Sequence, residues 1–509
     1  MSMASFKNAG IVSALTLLYL ATLTADYYWD GITFALQIER VARTEHSPSL
    51  LFHQNHLLYN VIGYLPYHLI RAAGFPLRAL YLLQVANALA AAVAVAVFFR
   101  IAEIVTGSRY AAIVSAAGLA FSAVWWKMAT DANAYVVSVL LILLCAGTLL
   151  SSRPRWLLVG LALAGAMLVH QLAALFYPAA LVAVFTNPSI EKKWSFAAKF
   201  TALAFGITVT AYAICASLFQ SLNEPLAVVK WAVSNQSGVA PSVSPLLGLK
   251  ALPRGNLDLI VGHSVALYRS QGGWVPRLLA LTTLTMAAYL LIKVLRAGRL
   301  ALFLRGALRV SQRKHAAWKI ATPMLIVWIG VYLVFLLFWE PWQVLYRAFY
   351  VPPLALMFGI VLSNYHNASH VLPTGASVLA VATLALSNLT FFIAPNMRVA
   401  ANPTVDAARN AYHLWNKETV IYFTDRNEAD TAFEYFNDQT EWRRFRETAQ
   451  IGIDDEIQRM SRQGRQLWLN KGAADLVDVE WLARHARGRT ITVESPNAPA
   501  HYVELLPDQ

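Results

Sequence analysis

The chain has 509 residues, of which 57% are hydrophobic and only 14% charged, with a mean hydropathy of +0.48. Soluble domains carry about 25% charged residues, so a water-soluble enzyme of this length is not expected, and collagen-like, disordered and coiled-coil chains are excluded. Of the 28 Asp and Glu, 10 precede position 395 and 18 follow it, whereas Lys and Arg divide 27 to 14. The net-basic first part (1–394) reads as an all-α polytopic membrane domain and the net-acidic remainder (395–509) as a small soluble domain.

In chain order, apolar stretches of roughly 17 to 25 residues, with two shorter ones, lie at 8–25, 79–99, 110–126, 133–150, 156–169, 171–185, 197–219, 277–296, 320–338, 345–362 and 371–394, about 11 spans in all. The first follows Lys7 as a signal peptide would, but has no small-x-small cleavage site and is read as a retained helix. The fifth and sixth are short and meet at His170 and Gln171, which predicts two tilted half-length spans joined by a polar corner. The stretch 56–73 is apolar yet holds Asn60, Tyr64, Pro66, Tyr67 and His68. If it lies along the surface with the N-terminus inside, Arg100, Arg109, Arg153, Arg155, Lys192, Lys193 and the basic run from Arg296 to Lys319 all fall inside. If it spans, all of them move outside, against the positive-inside rule. It is therefore read as an interfacial helix.

That topology sends four polar segments (26–78, 127–133, 220–276 and 339–343) and the tail to the extracytoplasmic face of the cell (inner) membrane. The pI near 9.7 then reflects loop bias rather than a nucleic-acid partner. Cys145 and Cys215 lie in apolar stretches, which excludes a disulfide framework and a cysteine metal site. In the tail, 419–424, 466–470, 490–494 and 502–506 look like strands, with helical patterns at 430–436 and 478–486 between them, predicting a small α/β domain. There is no GxGxxG or GxxxxGK[ST] fingerprint.

Carboxylates at membrane depth each need a reason. Asp26 and Asp30 stand in ADYYWDG (25–31), where the first helix leaves the membrane; four apart, they would share a face if that helix continued. Surrounding aromatics raise carboxylate basicity by desolvation, as a general base requires. The alternative is a belt of interfacial aromatics with an Asp capping the helix 32–43. Asp131 lies in WWKMATDANAY (125–135) on the same expected face, where Thr130, Asp131 or Asn133 could instead cap the next helix. His53, Gln54, Asn55 and His56 form a polar cluster; HxxH without a third ligand is weak support for a metal, and ligand hydrogen bonding or packing is favoured. His170 stands at the corner between the short spans. Arg347 follows WEPWQ (339–343) in an apolar stretch, with an ion pair to Glu340 or a phosphate as its two uses. Lys127 is a second phosphate candidate.

These residues in this order resemble the GT-C superfamily of polytopic membrane glycosyltransferases, which includes protein O-mannosyltransferases and aminoarabinose transferases. YWDGITF (28–34) is similar to that group's first acidic motif, with Asp30 in the place of the catalytic carboxylate, and HQNHLLY (53–59) to the His-rich start of its interfacial segment. TDANAY (130–135) resembles its second acidic motif, and GAMLVHQ (165–171) a recurrent His-containing helix end. The similarity runs over residues 8–220. Gly31 follows Asp30 where many relatives carry a second carboxylate, and the His53 segment lacks their double proline. The resemblance implies inverting transfer of a sugar from a polyprenyl-phosphate donor to a glycan, lipid or protein acceptor. Asp30 would be the base, with Asp26 beside it and Asp131 orienting the acceptor or a divalent cation. Arg347 or Lys127 would bind the phosphate, and His53, His56, Asn133, Tyr135 and His170 would contact substrate. A transporter or lipid flippase is the rival reading, but no internal repeat of the transporter kind is present.

The cation distribution makes a direct prediction. Reporter fusions or cysteine labelling should place Arg305 inside and Asn60, Gly238 and Asp454 outside. Asn60 and Gly238 on opposite faces would overturn the interfacial reading of 56–73.

Overall fold

In hydrocarbon every backbone polar group must be satisfied within its own segment, so long apolar stretches become helices. The computed structural model describes residues 3–43, 47–233, 245–262, 316–369, 374–424, 428–445, 453–486, 488–493 and 500–506, with a few isolated positions between 274 and 285. The expected span 277–296 and the basic run after it fall outside this continuous description. The chain divides into two compact units, Met1–Leu23 with Ile38–Pro395 and Thr24–Gln37 with Asn396–Gln509. The division expected at 394/395 did not anticipate that 24–37 belongs with the tail. The physical reason is a set of hydrogen bonds. Ala25 N and Asp26 N donate to Asn396 O at 2.7 and 3.1 Å, and Asn402 Nδ2 donates to Asp26 Oδ1 at 3.1 Å.

The helices of the first 395 residues are α1 (Met3–Ala21), α2 (Trp29–Ala42), α3 (Tyr59–Ala72), α4 (Ala79–Thr106), α5 (Arg109–Ala120), α6 (Ala123–Ala129), α7 (Tyr135–Leu149), α8 (Trp156–Val169), α9 (Tyr177–Thr186), α10 (Lys193–Gln220), α11 (Pro225–Val233), α12 (Pro245–Ile260), α13 (Ala316–Phe338), α14 (Val351–Ser369) and α15 (Thr374–Asn388). Among the described residues, four helices are long and apolar enough to cross a membrane alone: Ala79–Thr106, Lys193–Gln220, Ala317–Phe338 and Ser377–Asn396. Five shorter apolar helices of 10–17 residues accompany them. Helix α4 is the hub, packing on α1, α5 and α7, while α8 lies between α7 and α10. Its buried face carries Ala88, Ala91, Ala92 and Ala94, small residues that let neighbouring backbones approach closely.

Three sequence expectations are corrected, two of them by breaks in the helices. The single span expected at 110–126 is two helices, α5 and α6, bent by 65°. Ser122 adopts an extended backbone (φ −62°, ψ 143°), and Asn388 Nδ2 donates to the released Phe121 carbonyl at 2.8 Å. The span expected at 345–362 begins with a 3-10 turn, Leu345–Phe349, and becomes α-helical only at Val351. The stretch 220–276, expected as a loop, contains α11 and α12. The corner at His170 is present: His170 is extended (φ −154°, ψ 123°), and a 3-10 turn, Gln171–Phe176, leads into α9.

The second unit is built on a five-stranded sheet ordered β2-β1-β3-β5-β4, with β1 Thr419–Phe423, β2 Glu441–Arg444, β3 Gln466–Asn470, β4 Thr490–Val493 and β5 Ala500–Leu505. β1 pairs in parallel with β2 and β3, whereas β5 runs antiparallel to β3 and β4. Helices α16 (Pro403–Asn410), α17 (Glu428–Phe436), α18 (Ile453–Arg462), α19 (Lys471–Ala474) and α20 (Val479–His485) complete it. One core joins Val420, Leu467, Leu469, Ile457, Met460 and Trp481. On the other side Trp415 packs against Phe433, Trp468 and Tyr502. β2 and α18 were not expected from sequence. β2 reads Glu-Trp-Arg-Arg, and charge on an edge strand hides its β character while protecting the edge.

Two carboxylates on this sheet titrate together with folding. Arg465 and Arg443 hydrogen-bond Glu441 at 2.7 and 2.6 Å, and Arg489 is bidentate on Glu504 at 2.9 and 3.1 Å. Burial alone would raise both carboxyls, but these arginines outweigh it and hold Glu441 and Glu504 below the usual carboxylate range. A carboxyl depressed in the folded state contributes stability that is fully present above its unfolded value of about 4.3 and lost as pH falls through the folded value. Amide exchange in the full-length protein should therefore show β1–β5 losing protection only at acid pH. In Arg489→Gln the acid-dependent part of the β4–β5 protection should be largely lost; a parental pH profile in that variant would contradict this account.

Candidate active site

The break after α6 positions a buried ion pair of the first unit. Thr130 ends α6, and the four-residue turn to α7 carries Asp131, Asn133 and their backbone. Lys127 Nζ lies 2.8 Å from Asp131 Oδ2, with the carboxylate fully buried and Lys127 8% exposed. Ala132 N donates to Asp131 Oδ1 at 2.8 Å, and the Tyr59 phenol lies within the field of this carboxylate. Asn133, expected among the substrate contacts, caps α7 in this structure. Its Oδ1 caps α7 by accepting from Tyr135 N and Val136 N at 3.1 and 3.2 Å, and its Nδ2 donates to Met128 O at 2.7 Å. Two α4 side chains secure the turn from behind: Gln84 Nε2 reaches Thr130 O at 2.9 Å, and Asn87 Nδ2 reaches Asp131 O and Asn133 O at 2.8 Å each. Gln84 and Asn87 were overlooked in the sequence, although two amides three residues apart in an apolar helix are a readable signal.

Arg347 is completely buried. It lies in the 3-10 turn rather than within a long helix, and among the described residues no ion pair joins it to Glu340. Nη1 donates to Tyr350 Oη at 2.7 Å and Nη2 to Pro341 O at 2.6 Å. Tyr350 Oη in turn donates a hydrogen bond to Asn256 Oδ1 at 2.6 Å. The Arg347 Nε–H meets no acceptor among the described residues. Helix α12 closes against this group at Gly255, where a Cβ would collide with the guanidinium. A buried cation held by one phenol and one carbonyl is under-compensated, and its planar fork matches a phosphate or carboxylate. Tyr350, Asn256 and Gly255 were not singled out in the sequence; Arg347 and Tyr350, three apart at a helix entrance, were the only clue.

A third group surrounds the His170 corner. The His56 ring stands 4.5 Å from His170, edge to face, and 5.7 Å from His53. Tyr135 and Phe349 pack on His170 at 4.6 and 5.2 Å. Backbone bonds tie the two loops together, Leu58 N to Leu168 O at 2.9 Å and Gln171 N to Asn55 O at 3.1 Å. Burial, with His170 and His53 adding to it, lowers the His56 pKa well below the ordinary imidazole value, so His56 is neutral. The donor set does not suit a cation: His53 Nδ1 and His170 Nδ1 each accept a backbone N–H. Among the described residues no three His, Cys, Asp or Glu side chains gather as a metal site.

In the second unit, the expected shared face of Asp26 and Asp30 does not form, because α1 ends at Ala21 and α2 begins at Trp29. Asp26 lies between them and accepts from Asn402. Asp30 is half-buried in the first turn of α2, where the helix dipole favours a carboxylate.

Residues 66–215 match the family of dolichyl-phosphate-mannose-protein mannosyltransferases. No curated protein matches the sequence. The fold is similar to that of ArnT from Cupriavidus metallidurans bound to undecaprenyl phosphate, with a TM-score of 0.59 and 13% identity over 99% of this chain and 98% of that one. The apo state of the same protein matches with a TM-score of 0.50 and 14% identity over the same shares of both chains. The resemblance to the GT-C glycosyltransferases read from the motifs thus extends to the fold.

The Arg347 group generates its own prediction. Tyr350→Phe leaves a buried guanidinium N–H and the Asn256 amide oxygen without partners, at a cost of about 1–3 kcal/mol. Gly255→Ala forces the guanidinium aside, at a similar cost for overpacking. Both variants should melt measurably below the parent in detergent. A parental melting temperature for both would mean that the group is not held as described.

Proposed function

We propose that this GT-C chain is a membrane glycosyltransferase that moves a sugar from a polyprenyl-phosphate carrier to an acceptor on the extracytoplasmic face, with inversion. The observation that carries the reading is the fold shared along almost the whole chain with ArnT, a protein solved with undecaprenyl phosphate. Arg347 adds to it, as a buried cation whose Nε–H has no acceptor among the described residues.

In this reading Asp30 takes the proton of the acceptor hydroxyl or amine. The acceptor atom bonds to the anomeric carbon from the face opposite the carrier, and the carbon–oxygen bond to the lipid phosphate breaks. The phosphate leaves with the bonding pair, and the charge it gains is stabilised by Arg347. Donors aimed at developing charge in a dry site are worth far more than in water. Lys127 is held by Asp131, so it serves the phosphate indirectly, by keeping the turn before α7 in place. His56, His170, His53 and Tyr135 form a neutral aromatic surface suited to packing against a sugar ring. Asp26 supports the backbone between α1 and α2.

The test is transfer by purified protein supplied with a polyprenyl-phosphate sugar. Asp30→Asn keeps the shape but removes the basic oxygen, so the rate should fall at least about a hundredfold; Asp26→Asn should cost less. Arg347→Lys keeps the charge and loses the fork, and should weaken donor use. Parental transfer in Asp30→Asn combined with loss in Asp26→Asn would reassign the base. Movement of the lipid-linked sugar across vesicles without any transfer would replace the enzyme reading altogether.

A further inference from the structure

Helix α3 is apolar on two opposite sides. On one side Tyr59, Asn60, Gly63 and Tyr67 are buried. At Gly63 a Cβ would press on the Leu83 and Ile38 side chains at 2.6 and 2.8 Å, so the helix lies close against α4. On the other side Ile62, Leu65 and Leu69 are 44, 58 and 69% exposed, and Phe75 beyond the helix end is 65% exposed. The spacing 62, 65, 69 puts these residues on one stripe, about 10 Å of apolar surface along the helix.

A cluster of arginines stands at the end of this stripe. Gly74, in the left-handed region (φ +83°), lies in the turn between α3 and α4, with Arg71 in the last turn of α3 and Arg78 at the start of α4. Glu39, buried to 2%, lies at the centre of this cluster. Its carboxylate accepts from Arg78 Nε at 3.0 Å and Ala79 N at 2.8 Å, and Arg43 Nη2 lies 3.7 Å away. The Tyr67 phenol bonds Arg71 and sits in the fields of Glu39 and Arg43. One carboxylate therefore holds two guanidiniums, Arg43 and Arg78, with Arg71 linked to them through the Tyr67 phenol, and the Arg78 side chain remains 41% exposed.

We propose that this corner binds the headgroup of an anionic phospholipid, with its phosphate on Arg71 and Arg78 and an acyl chain along Ile62, Leu65, Leu69 and Phe75. The sign of the charge selects an anion, and the guanidinium fork suits a phosphate diester. The exposed apolar stripe beside it selects a lipid, because a soluble anion would leave that stripe in water. None of these residues belongs to the set assigned to the sugar donor, so the site stands or falls apart from the transfer reaction.

The test is thermal melting of the full-length protein in detergent titrated with phosphatidylglycerol, phosphatidylcholine or inorganic phosphate. Phosphatidylglycerol should raise the melting temperature by mass action on the folded state, and the other two should not. Arg71→Gln leaves the Glu39–Arg78 pair intact and should raise the phosphatidylglycerol concentration for half-maximal shift about fivefold, the worth of one cation at a lipid surface. Leu69→Asn changes no charge and should raise it as well. Should Arg71→Gln melt early without lipid, Arg71→Lys replaces it, with an intermediate midpoint expected and a parental one counting against the site. Equal response to both phospholipids, or a full shift with inorganic phosphate, overturns the proposal.

Discussion

Taking a guanidinium out of water costs several kcal/mol, and two neutral acceptors do not offset that for Arg347. The part of the first unit around the 3-10 turn Leu345–Phe349 is arranged around this imbalance. Pro341 supplies a carbonyl because the chain has left α13, Tyr350 supplies a phenol because α14 has not yet begun, and α12 brings Asn256 behind the phenol with Gly255 as the only residue small enough to lie beside the charge. A helix running straight through 345–350 would have tied up these backbone groups in its own ladder. The cation and the break in the helix are thus one feature.

The same logic holds at the other breaks. Non-helical backbone at membrane depth is tolerated only where protein buries it, and each break here is answered by amides. Asn388 takes the carbonyls released at Phe121 and Ile260. Gln84 and Asn87 hold the turn that presents Asp131, and Gln171 ties the His170 corner to Gln54 and Tyr212. These interior amides fix the places where polar side chains can stand without a ladder of their own. Chemistry in such a protein gathers at these places because only there is polar surface already compensated.

The second unit follows different rules. Its sheet has a two-sided aromatic core, and its charges pair at the surface, where screening makes each pair weak individually. The segment 24–37 joins it through backbone bonds to Asn396 and a side-chain bond from Asn402. That coupling places Asp26 and Asp30 on a support built from residues almost four hundred positions away.

Hydrophobic length and charge placement determined much of this protein from sequence. Among the described residues the apolar stretches became helices, the shift in acidic content lies close to the boundary between the two units, and four of five strands showed in their β-branched and aromatic runs. The carboxylates Asp30 and Asp131, the His170 corner and Arg347 stood out because polar groups in apolar surroundings need a reason. Tertiary structure alone decided their partners. Periodicity cannot reveal that 110–126 bends at Ser122, since the break is stabilised by Asn388 from a distant helix. It cannot show that Asn133 is a cap and Lys127 the partner of Asp131, because several residues of the turn had the chemistry to do either. Nor can it assign Arg347 to Tyr350 rather than Glu340, since both were near in sequence and only the backbone path at Pro341 separates them. Residue type sets which interactions are affordable at a given depth; the folded chain sets which of them are within reach.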